Sequence, residues 1–313
     1  MKRSFVFPGQ GSQSVGMGKE LADAFPVARQ VFEEVDDALG QKLSALTFEG
    51  PIEDLTLTEN AQPALMSVSM AVVRVLQSEG NFVLADRAAF VAGHSLGEYS
   101  ALTAVGSIGL ADAARLLKLR GQSMQQAVPV GEGAMAALLG LDFEAAEAVA
   151  KEAAQGDVCS AANDNAPGQV VISGHKAAVE RALDIAKEKG AKRAVLLPVS
   201  APFHCSLMSP AADAMAEALS AVTLRAPSIP VICNVSADIV TDPEAIRNHL
   251  VEQVTGIVRW RESVEFMKSK GVEQLVELGA GKVLSGLTRR IDRELTSVNA
   301  GSPAEIEELL KNI

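Results

Sequence analysis

Apolar residues along the chain alternate between strand-like and helix-like spacing, and this alternation predicts the fold class. Residues 3–7 form a short apolar run that Pro8 and Gly9 stop at once, as expected of a buried strand followed by a loop. Between 110 and 128 the apolar side chains recur in one stripe, the spacing of an amphipathic helix. The same criteria predict helices at 19–39, 61–79, 96–105, 206–220, 243–253, 261–270 and 282–293, and strands at 88–93, 229–235, 272–278 and 296–299. Strands that alternate with helices imply a mainly parallel sheet covered on both faces, so the sequence predicts an α/β fold.

The middle of the chain carries a second pattern, which predicts a small inserted domain. Its elements follow the order βαββαβ within about 70 residues, the order of a ferredoxin-like unit. Strands are predicted at 134–139, 157–162, 169–173 and 193–199, and helices at 142–154 and 175–189. Proline and glycine at 129–133 mark the start of this segment, and Pro198 to Pro202 mark its end. We therefore predict a small domain at 129–199 and a larger, discontinuous domain formed by 1–128 and 200–313.

Composition and charge exclude several classes of protein. Hydrophobic residues make up 48% of the 313 residues, which is enough for a sizeable core and excludes a disordered chain. No apolar run approaches the roughly 18 residues of a membrane helix, and the N-terminal apolar stretch is too short for a signal peptide. A net charge of −11 without a basic tract argues against a nucleic-acid partner. The three cysteines form no CxxC pair, which fits reduced thiols in a cytoplasmic protein.

A candidate nucleophile lies in residues 93–97, Gly-His-Ser-Leu-Gly, which match the G-x-S-x-G motif between a predicted strand and a predicted helix. The glycines permit a sharp, strained turn that exposes the Ser95 hydroxyl, and the following helix directs free N–H groups toward an oxyanion formed there. Alternatively, Ser95 only caps a helix in a glycine-lined turn. The strand and helix around the motif favour the nucleophile.

A nucleophilic serine needs a base, and only four histidines are available. His94 precedes Ser95 on the same strand, so its side chain is expected on the opposite face. His175 begins a helix of the small domain, and His249 lies within an amphipathic helix. His204 lies in a proline-stiffened loop where the two predicted domains meet, and clefts form at such places. By itself it would be an ordinary surface histidine, but beside the Ser95 turn it is the leading candidate.

Arg120 is a candidate anion-binding residue on the 110–128 helix. At 100° per residue it lies about 60° from the centre of the apolar stripe, whereas Lys118 and Arg115 lie farther round and are expected in solvent. A guanidinium near the interior favours a planar, bidentate anion, such as the carboxylate of a substrate. A structural pair with a protein Asp or Glu explains the position equally well.

Several stretches together resemble the malonyl-CoA:acyl carrier protein transacylases, which load malonyl groups for fatty-acid synthesis. They occur in family order over nearly the whole chain, and the set is far more specific than any one of them. The matching stretches are FVFPGQGSQ (5–13), GHSLGEYSA (93–101), RG (120–121), NAPGQ (165–169), SAPFH (200–204) and GAGKVL (279–284). The resemblance implies an α/β-hydrolase-like core with an inserted ferredoxin-like domain.

The resemblance also implies roles for particular residues. Ser95 is then the nucleophile, His204 the base and Arg120 the clamp for the malonyl carboxylate. The backbone N–H groups of Gln10 and Leu96 then form the oxyanion hole, and Asn165 lines the substrate cleft. The main-chain carbonyl of Gln253 orients the histidine. Without the resemblance, Gln10 and Asn165 would be turn residues and Gln253 the end of a helix.

These roles predict a ping-pong cycle through a malonyl-serine, with malonyl-CoA and holo acyl carrier protein as substrates and no metal or redox cofactor. Phe203, beside the base, is expected to crowd the α-carbon of the acyl group and disfavour methylmalonyl groups. Carrier proteins of this family are acidic, so docking to a chain of charge −11 requires a basic patch. The candidates are Lys192, Arg193, Arg289 and Arg290, which are otherwise ordinary solvated charges. We expect a monomer.

Three other functions remain open at this point. A serine hydrolase usually has its histidine near the C-terminus, whereas 109 residues follow His204 here. A non-catalytic module that binds carrier protein would be expected to lack Ser95, His204 or the glycines of the turn, and all are present. An acyltransferase domain of a polyketide synthase would perform the same chemistry within a longer chain, and the length favours a free-standing enzyme.

Overall fold

Ten β-strands form two separate sheets in the computed structural model, which describes residues 1–313. The strands are β1 (Arg3–Phe7), β2 (Phe90–Gly93), β3 (Gly133–Leu139), β4 (Cys159–Ala166), β5 (Gln169–His175), β6 (Arg193–Leu196), β7 (Val231–Ile232), β8 (Ile239–Val240), β9 (Gln274–Leu278) and β10 (Thr296–Ala300). The larger sheet has the order β10-β9-β1-β2-β7-β8. All its neighbours pair in parallel except β7 and β8, so the predicted mainly parallel sheet is confirmed.

The smaller sheet is antiparallel, with the order β4-β5-β3-β6. The predicted βαββαβ order is therefore present, with the first and third strands of the unit at its centre, as in ferredoxin-like folds. All four strands lie between residues 133 and 196. The domain boundaries proposed at 129 and 199 stay a prediction.

Fifteen α-helices cover the sheets and connect their strands. They are α1 (Lys19–Ala24), α2 (Pro26–Leu39), α3 (Leu43–Glu49), α4 (Ile52–Thr56), α5 (Thr58–Gly80), α6 (Leu84–Arg87), α7 (Gly97–Ala104), α8 (Leu110–Ala127), α9 (Phe143–Ala154), α10 (Lys176–Glu188), α11 (Ser209–Ser220), α12 (Pro243–Thr255), α13 (Trp260–Ser269), α14 (Val283–Ile291) and α15 (Pro303–Asn312). None of them combines the length and the apolar composition that crossing a bilayer requires.

Several predicted elements differ from the observed ones for identifiable reasons. The helix predicted at 19–39 is two helices, because Phe25 is extended and Pro26 starts the second one. The strand predicted at 229–235 has only two residues, since the chain turns back at Cys233, whose N–H bonds to Asp238. The strand predicted at 193–199 ends at 196. Helices α3, α4, α6 and α15 were not predicted.

The strand predicted at 157–162 differs most, because β4 runs on to Ala166. Two bulges in its pairing with β5 allow it to bend toward the larger unit. There Asn163 forms a parallel bridge with Val258, and Asp164 accepts hydrogen bonds from Arg261 at 2.8 and 3.0 Å. The small sheet is thus tied to α13 in addition to its two chain connections.

Candidate active site

A cavity of about 570 Å³ lies between the two sheets, at the carboxyl ends of β1 and β2. Ligands of open α/β sheets bind at this edge. Its walls come from both units, with Met135, Asn163 and residues 197–199 on the side of the small sheet. Among the residues singled out from the sequence, it brings together Gln10, Ser95, Leu96, Arg120, Phe203 and His204.

Ser95 occupies the sharp turn between β2 and α7, and its φ of 53° lies in the left-handed region. The predicted strained turn is confirmed. The turn requires the glycines, because a Cβ at Gly93 would overlap the backbone of Gly97, and one at Gly97 would overlap the backbone of Phe7. The side chain of Asn234, just after β7, forms two hydrogen bonds with the backbone of this turn. Its Oδ1 accepts from Ser95 N at 2.8 Å, and its Nδ2 donates to the Gly93 carbonyl at 2.7 Å.

His204 lies next to Ser95 in the cavity, and its Nε2 is 2.8 Å from the Ser95 Oγ. Its Nδ1 lies 2.9 Å from the main-chain oxygen of Gln253. A carbonyl oxygen can only accept, so Nδ1 carries the proton and Nε2 is free to take one from the serine. Burial, together with the charge of Arg120, lowers the pKa of His204 to about 3, so the imidazole is neutral at physiological pH. This pair can act as nucleophile and base.

Two cavity-lining residues offer free backbone N–H groups to an oxyanion. Leu96 precedes the first residue of α7, and Gln10 lies in the loop after β1, where its side-chain Oε1 accepts from Thr58 at 2.9 Å. Neither the Gln10 N–H nor the Leu96 N–H donates to another group of the protein. Because both residues line the cavity, these donors can serve a negatively charged oxygen formed near Ser95.

Arg120 is 1% exposed and therefore lies in the interior, as its helical position predicts. Nη1 donates to Gln62 Oε1 at 2.7 Å, and Nη2 donates to Gln253 Oε1 at 2.9 Å and to Ser95 Oγ at 3.2 Å. All three acceptors are neutral, so the alternative of a structural pair with Asp or Glu is wrong. A guanidinium has five N–H groups, so two of them remain unpaired here. Burial lowers the pKa of Arg120, and an incoming anion would relieve this penalty.

The two other cations of α8 behave differently from Arg120. Arg115 is exposed, as predicted, and pairs with Asp112. The expectation that Lys118 is solvated is wrong, since its side chain is 20% exposed and its Nζ lies 2.9 Å from Glu59 Oε2. The first turn of α5 supplies this carboxylate, which the helical wheel of α8 alone could not show.

The expected position of His94 is wrong, because its ring lines the same cavity as Ser95. The left-handed turn at Ser95 interrupts the strand alternation on which the expectation rested. His94 Nε2 lies 2.8 Å from Asn165 Oδ1. Asn165 thus supports the His94 ring and is not itself among the cavity-lining residues, whereas Asn163 is.

The four cations proposed for docking are all exposed. Lys192 packs beside Gly140, whose N–H donates to the Gly168 carbonyl at 2.8 Å, and Arg290 donates to Gln169 at 3.1 Å. Arg193 pairs with Leu139 in the sheet. Lys192, Arg193 and Arg290 therefore surround the same pair of turns although they are distant in sequence.

Three residues of the site were missed from the sequence, namely Gln62, Glu98 and Asn234. Gln62 and Glu98 are buried polar residues within apolar helical stretches, and this contrast is a signal that could have identified them. Asn234 gave no such signal, because its partners at Gly93 and Ser95 lie more than 130 residues away.

Comparisons with known proteins agree with this geometry. Residues 4–311 match the acyl transferase domain family. The malonyl CoA-acyl carrier protein transacylase of Escherichia coli K12 is 50% identical over 308 residues, which cover 98% of both chains. The crystal structure of an acyl-carrier-protein-S-malonyltransferase from Bartonella henselae is 56% identical, has a TM-score of 0.97 and covers 99% of both chains. A malonyl-transacylase solved in complex with its type II polyketide acyl-carrier protein is 48% identical, with a TM-score of 0.96 and complete coverage of both chains.

Proposed function

Because this chain belongs to the family of malonyl CoA-acyl carrier protein transacylases, we propose that Ser95 carries a malonyl group from CoA to a carrier-protein thiol. The enzyme is an acyltransferase, and its reaction belongs to fatty-acid synthesis. One observation carries the assignment of residues. The Ser95 hydroxyl lies 2.8 Å from a neutral imidazole and 3.2 Å from a buried guanidinium that has no acidic partner. A nucleophile and an anion site therefore occupy one cavity.

In the first half of the cycle, Ser95 attacks the thioester carbonyl of malonyl-CoA. His204 Nε2 takes the hydroxyl proton as the bond from Oγ to the carbonyl carbon forms. The carbonyl π electrons move onto oxygen, and the N–H groups of Gln10 and Leu96 stabilise the oxyanion. Each such donor contributes about 3 kcal/mol in comparable sites. The oxyanion then collapses, the carbon–sulfur bond breaks, and His204 returns the proton to the leaving CoA thiolate.

In the second half, the pantetheine thiol of the carrier protein attacks the malonyl-serine ester. His204 takes the thiol proton, the same two N–H groups stabilise the second oxyanion, and the proton passes to the Ser95 oxygen when the ester bond breaks. The enzyme returns to its starting state with the malonyl group on the carrier.

Arg120 selects the acyl group and adjusts the base. A malonyl carboxylate beside the guanidinium would accept hydrogen bonds from two N–H groups on one of its edges, among them the one that now reaches Ser95 Oγ. The same pairing would offset the positive charge that lowers the pKa of His204, so the bound substrate makes the base stronger. Phe203, 9% exposed and lining the cavity next to His204, would oppose a branched α-carbon.

Four further properties belong to this proposal. The cycle uses a hydroxyl, an imidazole and backbone N–H groups, so it requires no metal or redox cofactor. The proposed cycle calls on no residue beyond those of a single chain, so we propose a monomer as the working unit. The three cysteines are free and buried, which supports a cytoplasmic location. An acidic carrier protein would dock at Lys192, Arg193, Arg289 and Arg290, because they provide local positive charge on an acidic enzyme.

The test is to mix the protein with malonyl-CoA, quench in acid and weigh the intact chain beside the Ser95→Ala variant. We expect a malonyl adduct on the wild type only, discharged when holo carrier protein is added. Rapid release of free malonate without a carrier would instead indicate a hydrolase. Absence of both adduct and turnover in folded protein would leave a carrier-binding module.

A further inference from the structure

Glu98 is a buried acid next to the active site that the proposed cycle does not use. It lies in the first turn of α7, three residues after Ser95, and is 2% exposed. It forms no ion pair, although the buried cation Arg120 lies nearby and interacts with it electrostatically. A charged side chain in such a place is expensive unless it has partners, so its contacts indicate what it does.

The Gln253 amide lies between Glu98 and Arg120. Gln253 Nε2 donates to Glu98 Oε2 at 2.7 Å and to the Ser95 main-chain oxygen at 3.1 Å. Its Oε1 accepts from Arg120 Nη2 at 2.9 Å. The main-chain oxygen of the same residue accepts from His204 Nδ1 at 2.9 Å. One fully buried residue therefore contacts the nucleophile turn, the base and the proposed carboxylate clamp.

Glu98 is one of three groups that fix the orientation of this amide, together with Arg120 and the Ser95 main-chain oxygen. An amide can present either its oxygen or its NH₂ group to Arg120, and only the oxygen attracts a guanidinium. The unprotonated oxygen of Glu98 accepts and cannot donate, so the NH₂ group must face Glu98 and the oxygen must face Arg120. Burial raises the pKa of Glu98 to about 7, and either protonation state leaves an accepting oxygen toward Gln253.

We propose that Glu98 is a positioning residue for malonyl transfer, which fixes the Gln253 amide so that Arg120 stays beside Ser95 and receives the carboxylate of the acyl group. The inference rests on the proposed function of Ser95 and Arg120. The neutral Gln253 amide separates Arg120 from Glu98, so Arg120 has no direct carboxylate partner. Such a partner would compete with the substrate carboxylate for the free N–H groups of Arg120.

The same Glu98 oxygen accepts from Asn234 N at 3.1 Å, and Asn234 holds Ser95 N and the Gly93 carbonyl. A purely structural role for Glu98 in this cluster would affect every acyl substrate alike. A positioning role through Arg120 affects only substrates that carry a carboxylate. The ratio of kcat/KM for malonyl-CoA to that for acetyl-CoA separates these two roles.

The experiment measures acylation of Ser95 by both thioesters in Glu98→Ala, Glu98→Asp, Glu98→Gln and wild type. We expect the malonyl-to-acetyl ratio to fall about 10- to 100-fold in Glu98→Ala, the usual effect of displacing a positioned group. Glu98→Asp should lower it too, because the carboxylate withdraws by about 1.5 Å from Gln253. Glu98→Gln keeps an accepting oxygen at full length and should stay within about threefold of wild type.

Glu277 provides a matched control elsewhere in the larger unit. It is equally buried and accepts two backbone hydrogen bonds, from Leu284 and Ser285 at the start of α14, but has no contact with Gln253 or Arg120. Glu277→Ala should lower stability and leave the malonyl-to-acetyl ratio unchanged.

The outcomes separate this inference from the function on which it rests. A malonyl-to-acetyl ratio of kcat/KM that stays unchanged in Glu98→Ala and Glu98→Asp, whether or not both values fall, would overturn the role of Glu98. The wild type would still form its malonyl adduct in that case. A ratio in Glu98→Gln as low as in Glu98→Asp would overturn the hydrogen-bond explanation. If Glu98→Ala does not fold, the Glu98→Asp and Glu98→Gln pair decides. A wild type that forms no malonyl adduct would overturn both proposals.

Discussion

Ser95 and His204 both adopt left-handed backbone conformations, with φ of 53° and 58°, although neither is glycine. Such positions are strained by about 1–3 kcal/mol each and persist only where the surroundings impose them. Here Asn234 holds the Ser95 N–H and the Gln253 carbonyl holds His204 Nδ1. The left-handed backbone at these two positions places the Ser95 and His204 side chains against each other before substrate binds.

The low pKa of His204 predicts an unusual pH profile. Its acid limb, where the acylation rate falls as the pH decreases, should lie at unusually low pH. An ordinary histidine of pKa about 6.5 would be only about one-tenth neutral at pH 5.5, but a base with a pKa of about 3 is still neutral there. Because kcat/KM reports the free enzyme, acylation by acetyl-CoA should keep most of its pH 7 value at pH 5.5. Measurement of kcat/KM for acylation by acetyl-CoA across pH 4–8 would check this.

Arg120→Ala supplies the control for the pH profile. It removes a positive charge that lowers the pKa of His204, so the acid limb should move toward higher pH. A wild-type acid limb centred near pH 6.5, or no movement in Arg120→Ala, would contradict the electrostatic explanation.

Arg120→Ala should also remove the preference for malonyl over acetyl groups. The variant removes the only cation that contacts Ser95 Oγ, so a malonyl carboxylate would be buried without a partner. We expect the ratio of the two kcat/KM values to fall about 100-fold or more, since a hydrogen-bonded charge pair contributes roughly 3 kcal/mol. Competition between the two thioesters, read by intact mass, measures this ratio directly. An unchanged ratio would remove Arg120 from the proposed mechanism.

At the scale of elements, local patterns predicted most helices and strands, and the exceptions depend on distant contacts. Helix α8 matches its predicted range almost to the residue, because its apolar stripe packs as the periodicity indicates. Strand β4 extends four residues beyond its predicted end, through the polar run at 163–165. Pairing with Val258 keeps that run extended, and this partner is almost a hundred residues away. No local propensity encodes such a contact.

The tie between β4 and α13 should contribute measurably to stability. Asp164 is 1% exposed and accepts hydrogen bonds from Arg261, so Arg261→Ala leaves a buried carboxylate without its cation. We expect the free energy of unfolding in urea to fall by about 3–5 kcal/mol. In the double variant Asp164→Ala with Arg261→Ala the loss should be smaller, because no unpaired charge remains.

Arg259→Ala is the matched control for this tie. Arg259 pairs with Glu262 on the same helix turn, and both side chains are at least 30% exposed, so the loss should be under about 1 kcal/mol. A double variant of Asp164 and Arg261 that is less stable than Arg261→Ala alone would show that the buried charge is not the cause.

At the scale of the molecule, the active site exists only where the two units meet. The sequence predicted Ser95, His204 and Arg120 because a turn motif, a junction loop and a helical wheel each carry local information. It could not show that Gln253 contacts all three, because those contacts follow from the tertiary packing of the larger unit. Nor could it show that Asn163, and not Asn165, lines the cavity, because that depends on how the small unit packs on the larger one. Family resemblance had indicated the Gln253 carbonyl, but its side chain went unnoticed.

The charge distribution of the whole molecule leads to a prediction about carrier docking. On a chain of net charge −11, Lys192, Arg193 and Arg290 gather around the turns at 140 and 168. Arg193 lies four residues along the chain from the cavity-lining Leu197, or about 13 Å in an extended strand. An acidic carrier that docks there could extend its pantetheine arm into the cavity.

Reversal of Arg193 and Arg290 to Glu should therefore raise KM for holo carrier protein about tenfold at low ionic strength and leave KM for malonyl-CoA within about twofold. The difference should shrink in 0.5 M salt, because screening shortens the Debye length from about 10 Å at 0.1 M toward 3 Å. Arg74→Glu makes the charge change of one such reversal on the exposed side of α5, about 24 Å along that helix from Thr58 at the cavity end, and should leave both constants unchanged. Steady-state assays at two salt concentrations separate the possibilities.

A rise in both KM values would mean that these arginines bind CoA itself. A rise in KM for carrier protein with Arg74→Glu would mean that net charge, rather than a docking surface, governs the encounter.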